Sequence, residues 1–431
     1  MRVIQSKATG TIILGFMVTM VVFSQDIYFQ EEWRSSLPPL LKNMNGDIVD
    51  TPDKWFNNRR PYLLSLFENQ MYGSTPDNTD VRWEFIKSSE YRNALEGKAI
   101  KKEIVIRVMR GAQFRDLWLL IYLPTGQSDP IPVFLGLNFN GNHTILNDPS
   151  ITITPNWIDE NNRLKRFAPG NIEQSRGNAA SRWPVGDILS RGYGVATIFC
   201  GDMDPDYDDG FQNGIHPLFF ADGQGVPDKN DWGSIGAWAW GLSRAIDYFE
   251  NDPEIDATRV AVFGHSRLGK TALWAGATDQ RIALTISNNS GCGGAALSIR
   301  RQGETVEKIN SGFPHWFCDN FLQYNEREDQ LPVDQHMLIA LIAPRPVYIA
   351  SAEQDLWADP IGEYLSAYYA QPAYELVGKS TGLEPELPVI NDPKKDGIIG
   401  YHIRTGGHDV TNYDWEQFLD FADKHLSVEE R

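Results

Sequence analysis

Arg259-Val260-Ala261-Val262-Phe263-Gly264-His265-Ser266-Arg267-Leu268-Gly269-Lys270 decides the reading of this chain. The apolar run Val260 to Phe263 leads straight into a glycine, and Thr271 to Ala277 beyond it is rich in small residues and good helix formers. The pattern is strand, tight turn, helix, with Ser266 at the apex. A serine held there has its Oγ exposed above the sheet, with the N-terminus of the following helix beneath it. Small residues flank it because the backbone at such a turn is strained and approaches its neighbours closely. The usual G-x-S-x-G spacing is missed by one residue: Leu268 stands at the second glycine position and Gly269 follows. The strand before and the helix after make this a nucleophile elbow rather than an ordinary strand-to-helix turn.

Outward from the elbow, short apolar runs recur at Val195–Phe199, Ile282–Ile286 and Val347–Ala350, separated by helical pattern such as Ile235–Asn251 and Thr271–Thr278. Buried apolar strands alternating with helices predict a mostly parallel central sheet covered on both faces, a three-layer α/β sandwich. Ligands of such sheets bind beyond the carboxyl ends of the strands, where Ser266 lies. Earlier strands, Val81–Ile86, Ile100–Met109 and Leu117–Leu123, alternate partly polar and apolar as an antiparallel edge does, and Val133–Leu137 is shorter and more apolar. Residues 25–80 form an N-terminal extension of helical patches and turn signals. No repeat, low-complexity tract or flexible linker divides the rest, so 25–431 reads as one catalytic domain.

The N-terminus carries Arg2 and Lys7, an uncharged stretch Thr11–Phe23, then Ser24. This reads as a secretory signal peptide over residues 1–24, cleaved after Ser24, its apolar core being short for the ~20 residues of a membrane span. A secreted or periplasmic protein with no other membrane-crossing segment is expected. The 3 cysteines are too few for a disulfide scaffold; Cys292 and Cys318 are the more plausible pair, leaving Cys200 over. A formal net charge of −18 argues against nucleic acid or an anionic membrane as partner. The 13 tryptophans include candidates for sugar-stacking platforms on loops.

A serine hydroxyl needs a base to take its proton, and the base needs an acid to fix its tautomer. In this topology they follow in the order Ser, acid, His, each on a loop after a strand. His408 comes after Ile403-Arg404-Thr405-Gly406-Gly407 and before a helix over Asn412–His425, which places it on the last such loop. His402 lies inside the strand. The acid is expected after Val347–Ala350, where Asp355 is favoured over its neighbours Glu353 and Asp359.

Gly264-His265-Ser266-Arg267-Leu268-Gly269-Lys270 resembles the G-[CH]-S-R-x-G-K elbow of the glucuronoyl esterase family of carbohydrate esterases, bacterial type. Ser181-Arg182-Trp183-Pro184 with Ser190–Gly194, Arg281–Ile286 and Trp357-Ala358-Asp359-Pro360 are similar to that family too. The resemblance implies an α/β-hydrolase fold without a cofactor, and cleavage of esters of the 4-O-methyl-glucuronate side chains of glucuronoxylan, the proposed links to lignin alcohols. It implies Ser266 as nucleophile, His408 as base and Arg267 as an oxyanion donor beside backbone N–H groups. Lys270, Glu304 and Trp357 match positions that contact the sugar hydroxyls. The family's commoner acid lies in a stretch close to I-P-Q-E-S-G. This chain has Ile286-Ser287-Asn288-Asn289-Ser290-Gly291 there, so Asn289 replaces the glutamate and Asp355 is again indicated.

Other readings stay open. Lys270 is also a first-turn helix lysine, a placement the helix dipole disfavours; Glu304 also has Arg300 and Arg301 to pair with. The run Asp202-Met203-Asp204-Pro205-Asp206-Tyr207-Asp208-Asp209-Gly210 hints at calcium but lacks the glycine and closing glutamate of an EF-hand loop, and reads as a solvated loop rimming the site. No histidine or cysteine spacing indicates zinc, and no metal is expected. The expectation is a monomeric esterase. Its alternatives are an acetyl or feruloyl xylan esterase and, given Asn289, a catalytically impaired carbohydrate-binding relative.

Overall fold

Along the strand that ends at the elbow, Val260 and Val262 turn to one face of a sheet, Ala261 and Phe263 to the other, and all four are buried. The same two-sided burial runs through Leu119 and Ile121 against Leu120 and Tyr122, and through Val133 and Leu135 against Phe134. A strand apolar on both faces stays in place only when both are covered. The structure, a computed structural model, describes residues 32–43, 45–76, 80–158, 164–166 and 172–427. The signal peptide expected over residues 1–24 lies outside these.

Nine strands form the main sheet among the described residues: β1 (Arg82–Asn93), β2 (Ala99–Arg110), β3 (Gln113–Pro124), β4 (Ile131–Asn138), β5 (Gly194–Phe199), β6 (Ile255–His265), β7 (Leu284–Asn288), β8 (Val347–Ala352) and β9 (Ile399–Arg404). Their order is β1-β2-β3-β5-β4-β6-β7-β8-β9. β1, β2 and β3 pair antiparallel and β3 joins β5 antiparallel, while every pairing from β5 to β9 is parallel. β7 begins at Leu284 and continues to Asn288, whereas the apolar run marked Ile282–Ile286, because Asn288 still pairs with His265 at the sheet's carboxyl edge.

Helices cover both faces. On one, α1 (Ser234–Phe249) and α2 (Arg267–Thr278) bury Ile235, Trp238, Leu242 and Leu273 against β4 and β6. On the other, α4 (Asn412–Leu426) brings Trp415 and Phe418 onto Phe263, at 4.8 and 5.7 Å between ring centroids. Removing the Phe263 ring from that cluster is expected to cost about 3–5 kcal/mol. Between β8 and β9 runs α3 (Pro360–Leu376). A capping box starts α4: the Thr411 side chain and the Asp414 carboxylate satisfy each other's backbone N–H groups. In the N-terminal segment, Tyr72 stacks on Trp274 at 4.4 Å, and Arg60 donates to the carbonyls of Leu341 and Ala277. No described helix is long and apolar enough to cross a membrane.

The more plausible cysteine pair, Cys292 with Cys318, is not bonded: all three cysteines are free and buried. Both residues do follow β7, but nearness in sequence does not bring two Cβ atoms into the narrow geometry a disulfide needs.

Candidate active site

β6 ends at His265 and α2 begins at Arg267, so Ser266 alone makes the turn, at φ 58° and ψ −130°. A non-glycine residue at positive φ is strained by roughly 1–3 kcal/mol and is held there by its surroundings. Its N–H donates to the Asn288 carbonyl at 2.9 Å, and its own carbonyl accepts from Gly269 N at 2.8 Å. A Cβ on Gly264 would stand 1.9 Å from the Leu268 carbonyl oxygen, so that position admits only glycine. The displaced second glycine also has a cause. A Cβ on Gly269 would come within 3.0 Å of Ser287 and Ser290 side-chain atoms, whereas Leu268 points into the core. The close approach to the β7 loop falls at residue 269, not 268.

His408 lies on the loop after β9, fixed from below by Arg404. That buried guanidinium donates to the carbonyls of Thr405, Gly407 and Asp409, and through Nε to Asp414. His408 Nδ1 donates to Asp355 Oδ2 at 2.6 Å. Burial pushes the Asp355 carboxyl up, but the bonds from His408 and Asn289 outweigh it and hold the group below the usual carboxylate range. Of the rivals, Asp359 accepts from Arg300 Nε at 2.9 Å and starts α3, and Glu353 is half-buried with its neighbour Gln354 as side-chain partner. His265 packs against His408, ring centroids 4.5 Å apart; burial, then the neighbouring His408, push its pKa down to about 3.

Lys270 and Glu304 meet inside the protein. Lys270 Nζ donates to Glu304 Oε2 at 2.8 Å and to the carbonyls of Ser290 and Cys292 at 2.7 and 2.6 Å, which uses all three ammonium protons. Glu304 therefore pairs with the lysine, not with Arg300 or Arg301. Its Oε1 accepts from Trp357 Nε1 at 3.3 Å, while the Trp357 ring is 51% exposed on the loop beside Asp355. Arg267 forms an ion pair through Nε with Asp206, and its guanidinium lies 4.5 Å over the Phe139 ring. Ser266, Arg267, Lys270, Glu304, Asp355, Trp357 and His408 all line one cavity of about 280 Å³, together with Asn289, Phe313 and Trp316.

The acidic run corrects the sequence reading. Asp202, Asp204 and Asp206 are buried, whereas Asp208 is exposed and Asp209 half-buried, so only the end of the run is a solvated loop. Asp202 accepts from Trp118 N, Thr154 Oγ1 and Asn156 Nδ2, and burial raises its pKa to about 7. Asp204 accepts from Ser234 Oγ, and Asp206 from Trp316 Nε1. Each carboxylate faces donors from a different segment, and among the described residues no group of three or more His, Cys, Asp or Glu side chains is arranged to hold a metal. Sequence reasoning missed Arg404, Asp206 and Glu363. The last is a fully buried carboxyl that accepts from Ser290 N at 2.7 Å, Gly291 N at 3.0 Å and Ser351 Oγ at 2.6 Å under the loop carrying Asn289.

The family model for fungal glucuronyl esterases matches residues 226–378. Carbohydrate esterase MZ0003, from an unknown prokaryotic organism, is 50% identical over 393 residues, 91% of this chain and 90% of its own. A 4-O-methyl-glucuronoyl methylesterase of Hypocrea jecorina is 38% identical over 157 residues, 34% of each chain. Among solved structures, a promiscuous CE15 esterase from a marine bacterial metagenome superposes with a TM-score of 0.83 at 50% identity, covering 90% of this chain and 96% of that one. The glucuronoyl esterase of Solibacter usitatus gives a TM-score of 0.86 at 45% identity, covering 91% and 98%. With the elbow, the sheet order and this likeness along nearly its whole length, the chain belongs to the glucuronoyl esterases of carbohydrate esterase family 15, carboxylic ester hydrolases of the α/β-hydrolase fold.

Proposed function

We propose that this protein hydrolyses esters of 4-O-methyl-glucuronate side chains of glucuronoxylan by a Ser266–His408–Asp355 mechanism. The observation that carries the reading is the 2.6 Å contact between His408 and Asp355 in the cavity that Ser266 also lines. Ser266 Oγ attacks the uronate carbonyl while His408 takes its proton. Asp355 keeps that proton acceptor in the right tautomer and stabilises the imidazolium. Arg267 and backbone N–H groups at the start of α2 meet the negative charge that develops on the carbonyl oxygen. His408 then protonates the departing alcohol, and water releases the acid by the reverse path. Glu304, with Lys270 behind it, and the Trp357 ring supply the polar and stacking surfaces for the sugar.

An esterified uronate is neutral, so a protein of net charge −18 does not repel it, whereas the freed carboxylate is pushed outward. The reading includes export through residues 1–24 and a monomer with one catalytic domain over 25–431. Turnover of a benzyl glucuronate ester, compared with acetylated and feruloylated xylan, tests it. Faster turnover of the uronate ester supports the reading. Preference for either xylan ester, or binding of glucuronoxylan without turnover, overturns it.

A further inference from the structure

We propose that Asp206 is a positioning residue for catalysis, holding the Arg267 guanidinium aimed at the oxyanion. The inference rests on the oxyanion role proposed for Arg267. Asp206 reaches the elbow from the loop after β5, and its buried carboxylate is shared: Oδ2 faces Arg267 Nε, while Oδ1 accepts from Trp316 Nε1 at 2.7 Å and His315 Nε2 at 3.1 Å. Burial alone would push its pKa up, but the Arg267 charge and the donors His315 and Trp316 outweigh it and keep the group below the ordinary value.

An arginine on a flexible stem stabilises a transition state well only when its orientation is fixed beforehand. Two contacts fix this one. Asp206 approaches the guanidinium most closely at Nε, an ion-pair contact rather than an aligned hydrogen bond. The Phe139 ring packs against the guanidinium, 4.5 Å from its central carbon. Trp316 ties the carboxylate to the segment that also supplies Phe313 to the cavity wall, and its own ring lies 5.9 Å from the guanidinium. A carboxylate kept here only to join two loops would not need the one charged partner that borders the nucleophile.

Asp206→Asn keeps the shape and removes the charge. On a benzyl glucuronate ester it is expected to lower kcat by about 10²-fold, near the low end for one oxyanion donor, with KM within about threefold. In an Arg267→Ala background the same substitution should cost no more than about twofold further, because the two residues act as one unit. Equal losses in both backgrounds, or a loss confined to KM, overturn the proposal even if Arg267→Ala itself lowers kcat. Should Arg267→Ala leave kcat intact, the oxyanion role fails first and the positioning role with it. If Asp206→Asn does not fold, Phe139→Leu removes the ring under the guanidinium without touching the carboxylate. It should reproduce a loss in kcat that disappears when Arg267 is alanine, and a loss that persists there overturns the proposal.

Discussion

Asn289 donates its side-chain amide to Asp355 Oδ2 at 2.8 Å, the same oxygen that His408 Nδ1 meets at 2.6 Å. The residue at the position where the resemblance puts the commoner acid thus donates to the carboxylate proposed as the acid here, on the neighbouring strand's loop. Its backbone stands at φ 46°, a left-handed conformation that asparagine tolerates better than most residues.

Asp355→Asn should leave a folded protein with kcat lower by up to about 10⁴, the scale of a histidine held in the wrong tautomer. Asn289→Glu in that background exchanges the amide and the carboxylate and should restore part of the activity. Asn289→Glu alone sets two carboxylates against each other, which raises the pKa of one of them. A raised folded-state pKa means stability that is present at low pH and lost as pH rises through it, so this variant should fall further below wild type in Tm at pH 8 than at pH 5. A double-mutant cycle in kcat, with Tm measured at both pH values, checks the pair.

Glu363 gives a second pH test. Burial is the largest influence on it and pushes its pKa up to about 8, while the bonds from Ser351 and Gly291 pull the other way. The sign is again that of a raised group: native Glu363 holds a proton that the unfolded chain loses near 4.5, so its contribution fades as pH rises from about 4.5 to 8. Glu363→Gln can keep both backbone donors on its amide oxygen and donate its NH₂ to Ser351 Oγ. The variant should lose less Tm than wild type between pH 5 and pH 8. A parallel decline in both proteins would show that Glu363 does not carry this dependence.

On the wall proposed to face the sugar, Lys270 and Trp357 should separate cleanly. Lys270→Met leaves the buried Glu304 carboxylate without its charge partner, and breaking such a pair costs about 3–5 kcal/mol. A large drop in Tm is expected. Trp357→Ala removes a half-exposed ring that no core cluster needs, so Tm should hold while KM for glucuronate esters rises. Thermal melts beside Michaelis profiles measure both effects.

How far the sequence was legible depended on how local each cause was. The elbow could be read because a strand, a forced glycine at 264 and a helix lie within one short stretch, and the sheet because its strands are apolar on both faces. Asp355 could be favoured over Glu353 and Asp359 by its distance past β8 and by Asn289 at the commoner acid position, but its contact with His408 needed the fold. The acidic run misled because a carboxylate's burial is decided by donors far away in sequence: Thr154 for Asp202, Ser234 for Asp204, Trp316 for Asp206. Arg404 and Glu363 were invisible for the same reason. Each is a charged residue in an ordinary strand or helix pattern until the loop it holds is folded against it.

The central claim is that Ser266 is the nucleophile of a glucuronate esterase. Hydrolysis of a benzyl glucuronate ester by wild type and Ser266→Ala, with circular dichroism to confirm that both are folded, tests it most directly. Turnover by the wild type and a loss on the order of 10⁶ in kcat for the variant are expected, the scale seen when a triad nucleophile is removed. A folded Ser266→Ala protein that keeps more than about a tenth of the wild-type rate would contradict it, since loss of a triad nucleophile costs orders of magnitude more than that.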